Sequence, residues 1–188
     1  MFKPKKGQLI PLLVEEQKEV SEFINEQLAK GYICPSKSKQ TSPVFFMLKK
    51  DGRKQMVQDY RYLNEHTVQN NYPLLLISQL INKLKGSQYF TKIDLCWGYN
   101  NVCIKKGDEW KAMFVCHCGS FKPTVMFFGL CNSPATFQMM MNEIFIDMED
   151  VVIVYIDDIM IFTKGNLAQH QAKVKEVLQQ LHGNDLFA

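Results

Sequence analysis

Arginine is almost missing from this 188-residue chain: Arg53 and Arg61 are the two present, so 20 of its 22 basic residues are lysine. Lysine is a compact point charge without the planar fork that grips phosphate in two places, so few bidentate phosphate contacts are available. Long apolar runs are missing too. No stretch approaches the ~20 consecutive apolar residues of a spanning helix. The basic N-terminus MFKPKKGQLIPLLVEE has an apolar run broken by Pro11 and no small-residue cleavage site. The expectation is a soluble, intracellular protein with no membrane partner. Paired cysteine spacing is the third absence. The six cysteines, at 34, 96, 103, 116, 118 and 131, show neither a disulfide framework nor a zinc ribbon, and Cys116-His117-Cys118 lacks a second ligand pair.

What is present is an ordinary globular composition, 46% hydrophobic and 22% charged, without repeats or a low-complexity linker. That fits one compact domain or two intimately packed subdomains. The net charge is +3, but lysines gather at Lys3, Lys5 and Lys6, at Lys37 and Lys39, at Lys49, Lys50 and Lys54 beside Arg53, and at Lys105 and Lys106. Each group alone reads as a solvated face; together they permit a polyanionic partner.

Hydrophobic periodicity predicts a mixed α and β chain. Val20, Phe23, Ile24 and Leu28 recur at helical spacing, with Gly31 as the stop. Residues 42–59 predict a hairpin turning at Asp51-Gly52. A helix follows Pro73, carrying Leu80, Ile81 and Leu84, and residues 89–95 form a strand ending on a carboxylate. Ser133-Pro134 offers an N-cap with proline after it, and Phe137, Met141, Ile144, Phe145 and Met148 share the next helix face. A last helix from Asn166 carries Leu167, Val174, Leu178 and Leu181. The fold class is α+β, with helices on one face of an antiparallel sheet.

Within that sheet VVIVYIDDIMIF, residues 151–162, sets two aspartates at a hairpin tip flanked by apolar strands. Asp-Asp does not supply the positive φ angles of a tight hairpin turn, so local propensity leaves the pair unexplained. A solvated loop is one reading. The other is a cation site, since Asp94 ends a strand of the same sheet and three carboxylates suit two hard divalent ions that assist phosphoryl transfer.

Five ordered motifs then carry a resemblance. DYRYLN (59–64), FTKIDLCWGYNN (90–101), WKAMF (110–114), VMFFGLCNSPATFQ (125–138) and YIDD (155–158) resemble the reverse transcriptase of gypsy-type LTR retrotransposons, close to fungal-type elements, over about Gln17 to Phe187. The resemblance implies a right-hand polymerase fold with fingers at 1–68 and 103–132 and palm at 69–102 and 133–188. The thumb, ribonuclease H and integrase of the full polyprotein lie outside the chain. It implies RNA-directed DNA polymerase activity by two-metal nucleotidyl transfer from dNTPs to a primer 3′-OH on an RNA or DNA template. Asp94, Asp157 and Asp158 match the catalytic acids that bind two Mg²⁺ ions, with Mn²⁺ as a substitute.

By the same resemblance Tyr99 matches the aromatic that excludes ribose, and Phe128-Gly129 the loop against the incoming nucleotide. Lys49 and Lys50 match the hairpin that closes on the triphosphate. From the residues alone, Tyr99, Phe127 and Phe128 would be core aromatics and the lysines a solvated turn. Departures from the pattern are concentrated at lost arginines. Gln55 stands where the family has the arginine that grips triphosphate, and Cys34, Cys96, Cys103 and Cys118 stand where related elements commonly carry arginine. These imply a weakened or inactive copy, the alternative being a non-catalytic nucleic-acid-binding remnant of a decayed element.

Overall fold

The structure is a computed structural model that describes residues 3–48, 52, 54–73, 77–96 and 98–187. Two compact units divide the chain. The first comprises Met1–Gln69 with Tyr99–Ser133, the second Asn70–Gly98 with Pro134–Ala188.

In the first unit, helix α1 (Val14–Ala29) begins where the Glu16 carboxylate accepts the Leu13 amide at 3.0 Å. Acidic Glu15 and Glu16 in the first turn also suit the positive end of the helix dipole. Gly31, with φ of 72°, turns the chain out of the helix as expected. Strands β1 (Ile33–Pro35), β2 (Ser42–Leu48) and β3 (Lys54–Gln58), the short helix α2 (Arg61–Glu65), and strands β5 (Phe114–Cys116) and β6 (Gly119–Pro123) complete the unit. The sheet order is β1-β6-β5-β2-β3, antiparallel except for β2 against β5.

The expected β2/β3 hairpin is present, pairing Val44 with Gln58 through Leu48 with Lys54. Its tip residues Lys49, Lys50 and Asp51 lie outside the described residues, and Gly52 there has φ of 81°. Val20 and Ile24 of α1 reach the sheet and form the core with Ile33, Val44, Phe114, Cys116, Phe121 and Phe127. A smaller cluster of Tyr60, Leu63 and Ala112 is pinned by the Tyr60 hydroxyl, which donates to the Ala112 carbonyl at 2.9 Å.

The second unit contains helix α3 (Ile77–Leu84), strand β4 (Tyr89–Asp94), helix α4 (Ser133–Ile144, whose first residue belongs to the first unit), strands β7 (Val152–Tyr155) and β8 (Asp158–Thr163), and helix α5 (Leu167–Gly183). Its sheet is antiparallel in the order β4-β8-β7. Strand alternation sends Tyr89, Thr91 and Ile93 to the half-buried side of β4 and Phe90, Lys92 and Asp94 to the exposed side. Helix α5 packs against β4 and β8. Asn166 caps it, its side chain accepting the Gln169 amide at 3.0 Å while Gln169 reciprocates at 3.1 Å.

Three helix expectations are corrected. The α4 stripe was expected to run through Met148, but the α-helix stops at Ile144 and Ile146–Met148 form a 3₁₀ turn. Ser133 begins that helix, and its hydroxyl donates to the Phe127 carbonyl at 3.1 Å instead of acting as a cap. On α5 the buried positions are His170, Val177 and Leu181, while Leu167 and Leu178 are exposed. His170 can occupy the inner face because both ring nitrogens have partners, Nε2 with Thr91 Oγ1 at 2.8 Å and Nδ1 with Thr163 Oγ1 at 3.0 Å. No described helix is long and apolar enough to cross a membrane.

Phe114 is fully buried and Phe90 half exposed. Phe114→Ala is expected to lower stability by about 3–5 kcal/mol, while Phe90→Ala changes it by less than about 0.5 kcal/mol, in urea unfolding followed by circular dichroism.

Candidate active site

The carboxylates of the second unit are placed by strand register. Asp94 and Asp158 are direct partners across β4 and β8, so their side chains leave the sheet on one face. One step further, the Leu95 amide donates to the Asp157 carbonyl at 3.1 Å. Asp158 is therefore the first residue of β8, and the two-residue turn is Ile156-Asp157, not Asp-Asp.

That turn answers the propensity puzzle at a cost. Its positive φ falls on Ile156 at 56°, a β-branched residue for which this conformation is an outlier costing about 1–3 kcal/mol. The side chain of Gln138, buried on α4, supplies the restraint. Its Oε1 accepts the Ile156 amide at 3.1 Å, and its Nε2 donates to the Val154 carbonyl at 3.0 Å and to Asn142 Oδ1 at 2.9 Å. Asn142 is steadied in turn by donating to the Tyr72 hydroxyl at 2.9 Å.

Asp157 Oδ1 is buried without a hydrogen-bond partner among the described residues. Burial, followed by the charges of Asp94 and Asp158, pushes its carboxyl pKa up. Gly98 makes the room: a Cβ there would stand 2.8 Å from Asp157 Oδ1 and 3.1 Å from Phe137 Cζ. Asp158 is held differently, with Lys92 Nζ 2.9 Å from its Oδ1 and both side chains about half exposed. The hydrogen bond to Asp158 and the charges of Asp158 and Asp94 raise the Lys92 pKa.

Among the described residues no three His, Cys, Asp or Glu side chains are gathered as a metal cage. The orphaned Asp157 oxygen and the repulsion it feels nonetheless fit a divalent cation, since carboxylate oxygens are the hard donors such an ion takes. Asp94 and Asp157 are the residues that would hold it, with Asp158 tied to Lys92.

In the first unit Tyr99 and Phe128, two of the residues matched to nucleotide contact, meet. Tyr99 is buried, and the half-exposed Phe128 ring meets it edge-on at 4.8 Å and 75°. Gly129 has φ of 93°, whereas a Cβ there would be 3.5 Å from Tyr60 Cδ2, so backbone angle more than space reserves the glycine. Asn64 closes this loop, Nδ2 donating to the Gly129 carbonyl at 2.7 Å and Oδ1 accepting the Cys131 amide at 2.9 Å. Phe127 faces the core, 6.1 Å from Phe23.

Gln55 is exposed on β3 opposite Met47. Its neighbour Lys54 reaches Glu16 at 2.6 Å, while Lys49 and Lys50 lie outside the described residues. Of the replaced arginine positions, Cys96, Cys103 and Cys118 are exposed and Cys34 is partly buried. Sequence reasoning assigned no role to Gln138, Asn64, Gly98 or Lys92, although all lie in or beside the quoted motifs. A glutamine inside the apolar stripe of α4 was the one signal that pointed to a buried polar contact.

Two outcomes follow from this geometry. With its folded pKa above the unfolded one, Asp157 binds its proton more tightly in the folded state, so ionised Asp157 opposes folding above the folded pKa. Asp157→Asn should raise Tm at pH 7 without divalent cations, and the gain should shrink as pH falls through the raised folded pKa and vanish once the carboxyl of the unfolded chain is protonated as well; a lower Tm at pH 7 contradicts this. Gln138→Met leaves the Ile156 amide and Val154 carbonyl unpaired, and chemical denaturation should show a loss of about 1–3 kcal/mol.

Residues 47–187 match the pattern of the family described as reverse transcriptase (RNA-dependent DNA polymerase). Among curated proteins, the Transposon Tf2-3 polyprotein of Schizosaccharomyces pombe is 41% identical over 178 residues, and the Tf2-7 polyprotein of the same yeast is 40% identical over the same length. Each alignment covers 94% of this chain and 13% of the relative, so the chain spans about an eighth of those polyproteins. Among solved structures, the foamy viral protease-reverse transcriptase in complex with RNA/DNA hybrid superposes with a TM-score of 0.86 at 22% identity, covering 96% of this chain and 24% of that one. Native prototype foamy virus protease-reverse transcriptase gives 0.84 at 25% identity, covering 98% and 24%. The structural likeness carries the fold, the α+β right-hand polymerase architecture of fingers and palm. Together with the sequence matches, it means that this chain belongs to the reverse transcriptase (RNA-dependent DNA polymerase) family and resembles the retrotransposon branch of it.

Proposed function

We propose that this chain forms the fingers, 1–68 and 103–132, and the palm, 69–102 and 133–188, of an RNA-directed DNA polymerase that extends a primer 3′-OH with dNTPs. The observation that carries the reading is the register of Asp94 against Asp158 with the buried, unpartnered Asp157 oxygen beside them. Asp94 and Asp157 are the principal ligands in this reading and Asp158 the third acid, for two Mg²⁺ ions or Mn²⁺. When bound, such ions supply charge neutralisation for the departing pyrophosphate and ease deprotonation of the primer hydroxyl. The rest is positioning. Buried Tyr99, backed edge-on by Phe128, is the aromatic that bars a ribose 2′-OH, and Gly129 lets backbone approach the nucleotide. Lys49, Lys50 and Gln55 belong to the hairpin that meets the triphosphate. A nucleic-acid partner is supported by two of the foamy viral structures, one a complex with RNA/DNA hybrid and one with dsDNA.

The exposed, uncharged Gln55 favours a weakened copy, because it offers no cation to the triphosphate. A non-catalytic nucleic-acid-binding remnant is the second reading.

Two measurements separate them. Calorimetric titration with Mg²⁺ or Mn²⁺ should show binding that Asp94→Asn with Asp157→Asn removes; equal binding by the double variant sinks the site. Primer extension on an RNA template should compare the chain with Gln55→Arg, each also fused to the segment that follows in the fission yeast relatives. Gln55→Arg is expected to raise extension roughly 10- to 100-fold within the fusion, as one charge-assisted contact would. In that fusion Tyr99→Ala should admit ribonucleotides, and no change in the ribo/deoxy ratio removes Tyr99 from the account.

A further inference from the structure

Strands β2 and β3 run on past the point where the core covers them. Successive residues of a strand face opposite ways, so Lys54 and Met56 share one side of β3 while Gln55 and Val57 share the other. The first side is the inner one, because Met56 and its partner Phe46 on β2 pack against the core that Val20 and Ile24 of α1 help to form. Towards the tip that cover ends. Met47 and Leu48 of β2 are exposed, as are Lys54 and Gln55 of β3.

At this end Lys54 reaches back to α1. Its Nζ lies 2.6 Å from Glu16 Oε1, while Glu16 Oε2 accepts the Leu13 amide at 3.0 Å. One carboxylate therefore starts the helix with one oxygen and holds the strand with the other. The helix side of the contact is set in advance. Leu12 packs against the core and its carbonyl accepts Gln17 Nε2 at 3.1 Å, which fixes the first turn of α1. The Glu16 side chain is 13% exposed, and its hydrogen bond to Leu13 already restricts its rotamer. Much of the entropy cost that makes surface ion pairs weak is thereby removed. The hydrogen bond to Glu16, and then the charges of Glu16, Glu15 and Glu19, raise the Lys54 pKa, and the same bond lowers that of Glu16. Since Lys54 is on the inner side, it does not replace the cation missing at Gln55. It directs the strand that carries Gln55.

We propose that Lys54 is a positioning residue, which through Glu16 ties the outer end of the β2/β3 hairpin to the first turn of α1 and so sets where the opposite side, with Gln55, is presented to a nucleotide triphosphate. The presentation to a nucleotide rests on the polymerase reading of that hairpin; the tie itself does not. Being ionic and half open to solvent, the tie is loosened by salt.

Hydrogen exchange read by NMR tests the tie in the chain itself. In Lys54→Met the protected amides among residues 47, 48, 54 and 55 should lose protection roughly 2- to 5-fold, while those at the core end of the same pairing, around Val44 and Gln58, keep theirs. Glu16→Gln, which retains an acceptor for the Leu13 amide, should have the same effect, and Lys54→Arg should restore the parent values. In about 1 M NaCl the parent should approach Lys54→Met, and the variant itself should change little. Unchanged protection in Lys54→Met, or an equal loss along the whole length of β2 and β3, overturns the proposal. The second arm uses the Gln55→Arg fusion in primer extension. There Lys54→Met should raise KM for dNTP at least ~3-fold with kcat within about twofold, and Lys54→Arg should reverse it. An unmoved KM in a fusion that extends primers overturns the positioning role. A fusion that extends none refutes the polymerase reading and the nucleotide half of the proposal with it, while the tie stands or falls by exchange alone.

Discussion

The amide of Gln138 is the contact on which the acidic turn depends. Asp157 has to sit where its carboxyl is partly desolvated and faces two other aspartates, and the chain reaches that place through a left-handed isoleucine. Strand pairing cannot hold such a residue by itself, since β7 ends at Tyr155 and β8 begins at Asp158. One buried side chain that accepts from Ile156 and donates to Val154 spans the gap, clamping the turn from both ends. Because the amide is buried and its partners are backbone groups, losing it would strand a buried donor and acceptor as well as free the turn.

The other unit solves a related problem in the same way. The loop around Gly129 also contains a left-handed residue, and there the Asn64 amide joins the Gly129 carbonyl to the Cys131 N–H. In both places a side-chain amide supplies the donor and acceptor that secondary structure would otherwise provide. The two loops are thereby held by contacts within the chain itself. Lys92 adds a restraint of another kind, occupying one oxygen of Asp158, while Asp157 Oδ1 is buried without a partner among the described residues.

Much of this was legible in the sequence where the signal was periodic or punctuated. Val20 and Ile24 marked the inner face of α1, Gly31 its end, Asn166 the start of α5, and the apolar runs around the aspartates the β7/β8 hairpin. Strands β1, β5 and β6 went unseen because alternation over three to five residues is too brief by itself, and unlike β3 and β7, which are as short, they had neither an Asp-Gly turn nor a long apolar run to mark them. The inner face of α5 was misplaced because its key member, His170, is polar and becomes buriable only through Thr91 and Thr163, far away in sequence. The turn was misread for a similar reason. Asp-Asp is the conspicuous pair, but the conformational demand falls on Ile156, and a β-branched residue gives no local hint that Gln138 will hold it there. The resemblance names the acidic residues; the contacts that hold their turn in place are tertiary.

The central claim is that the acidic turn is set by Gln138 in the chain without any metal or nucleotide. Hydrogen exchange of the Ile156 amide, read by NMR in the absence of divalent cations, tests it most directly, because that N–H sits in a turn and its partner is the Gln138 oxygen. The account predicts that Ile156 exchanges slowly, with protection comparable to that of neighbouring β8 amides. Exchange at the rate of an open loop, with protection appearing only after Mg²⁺ is added, would contradict it and make the turn a product of ligand binding.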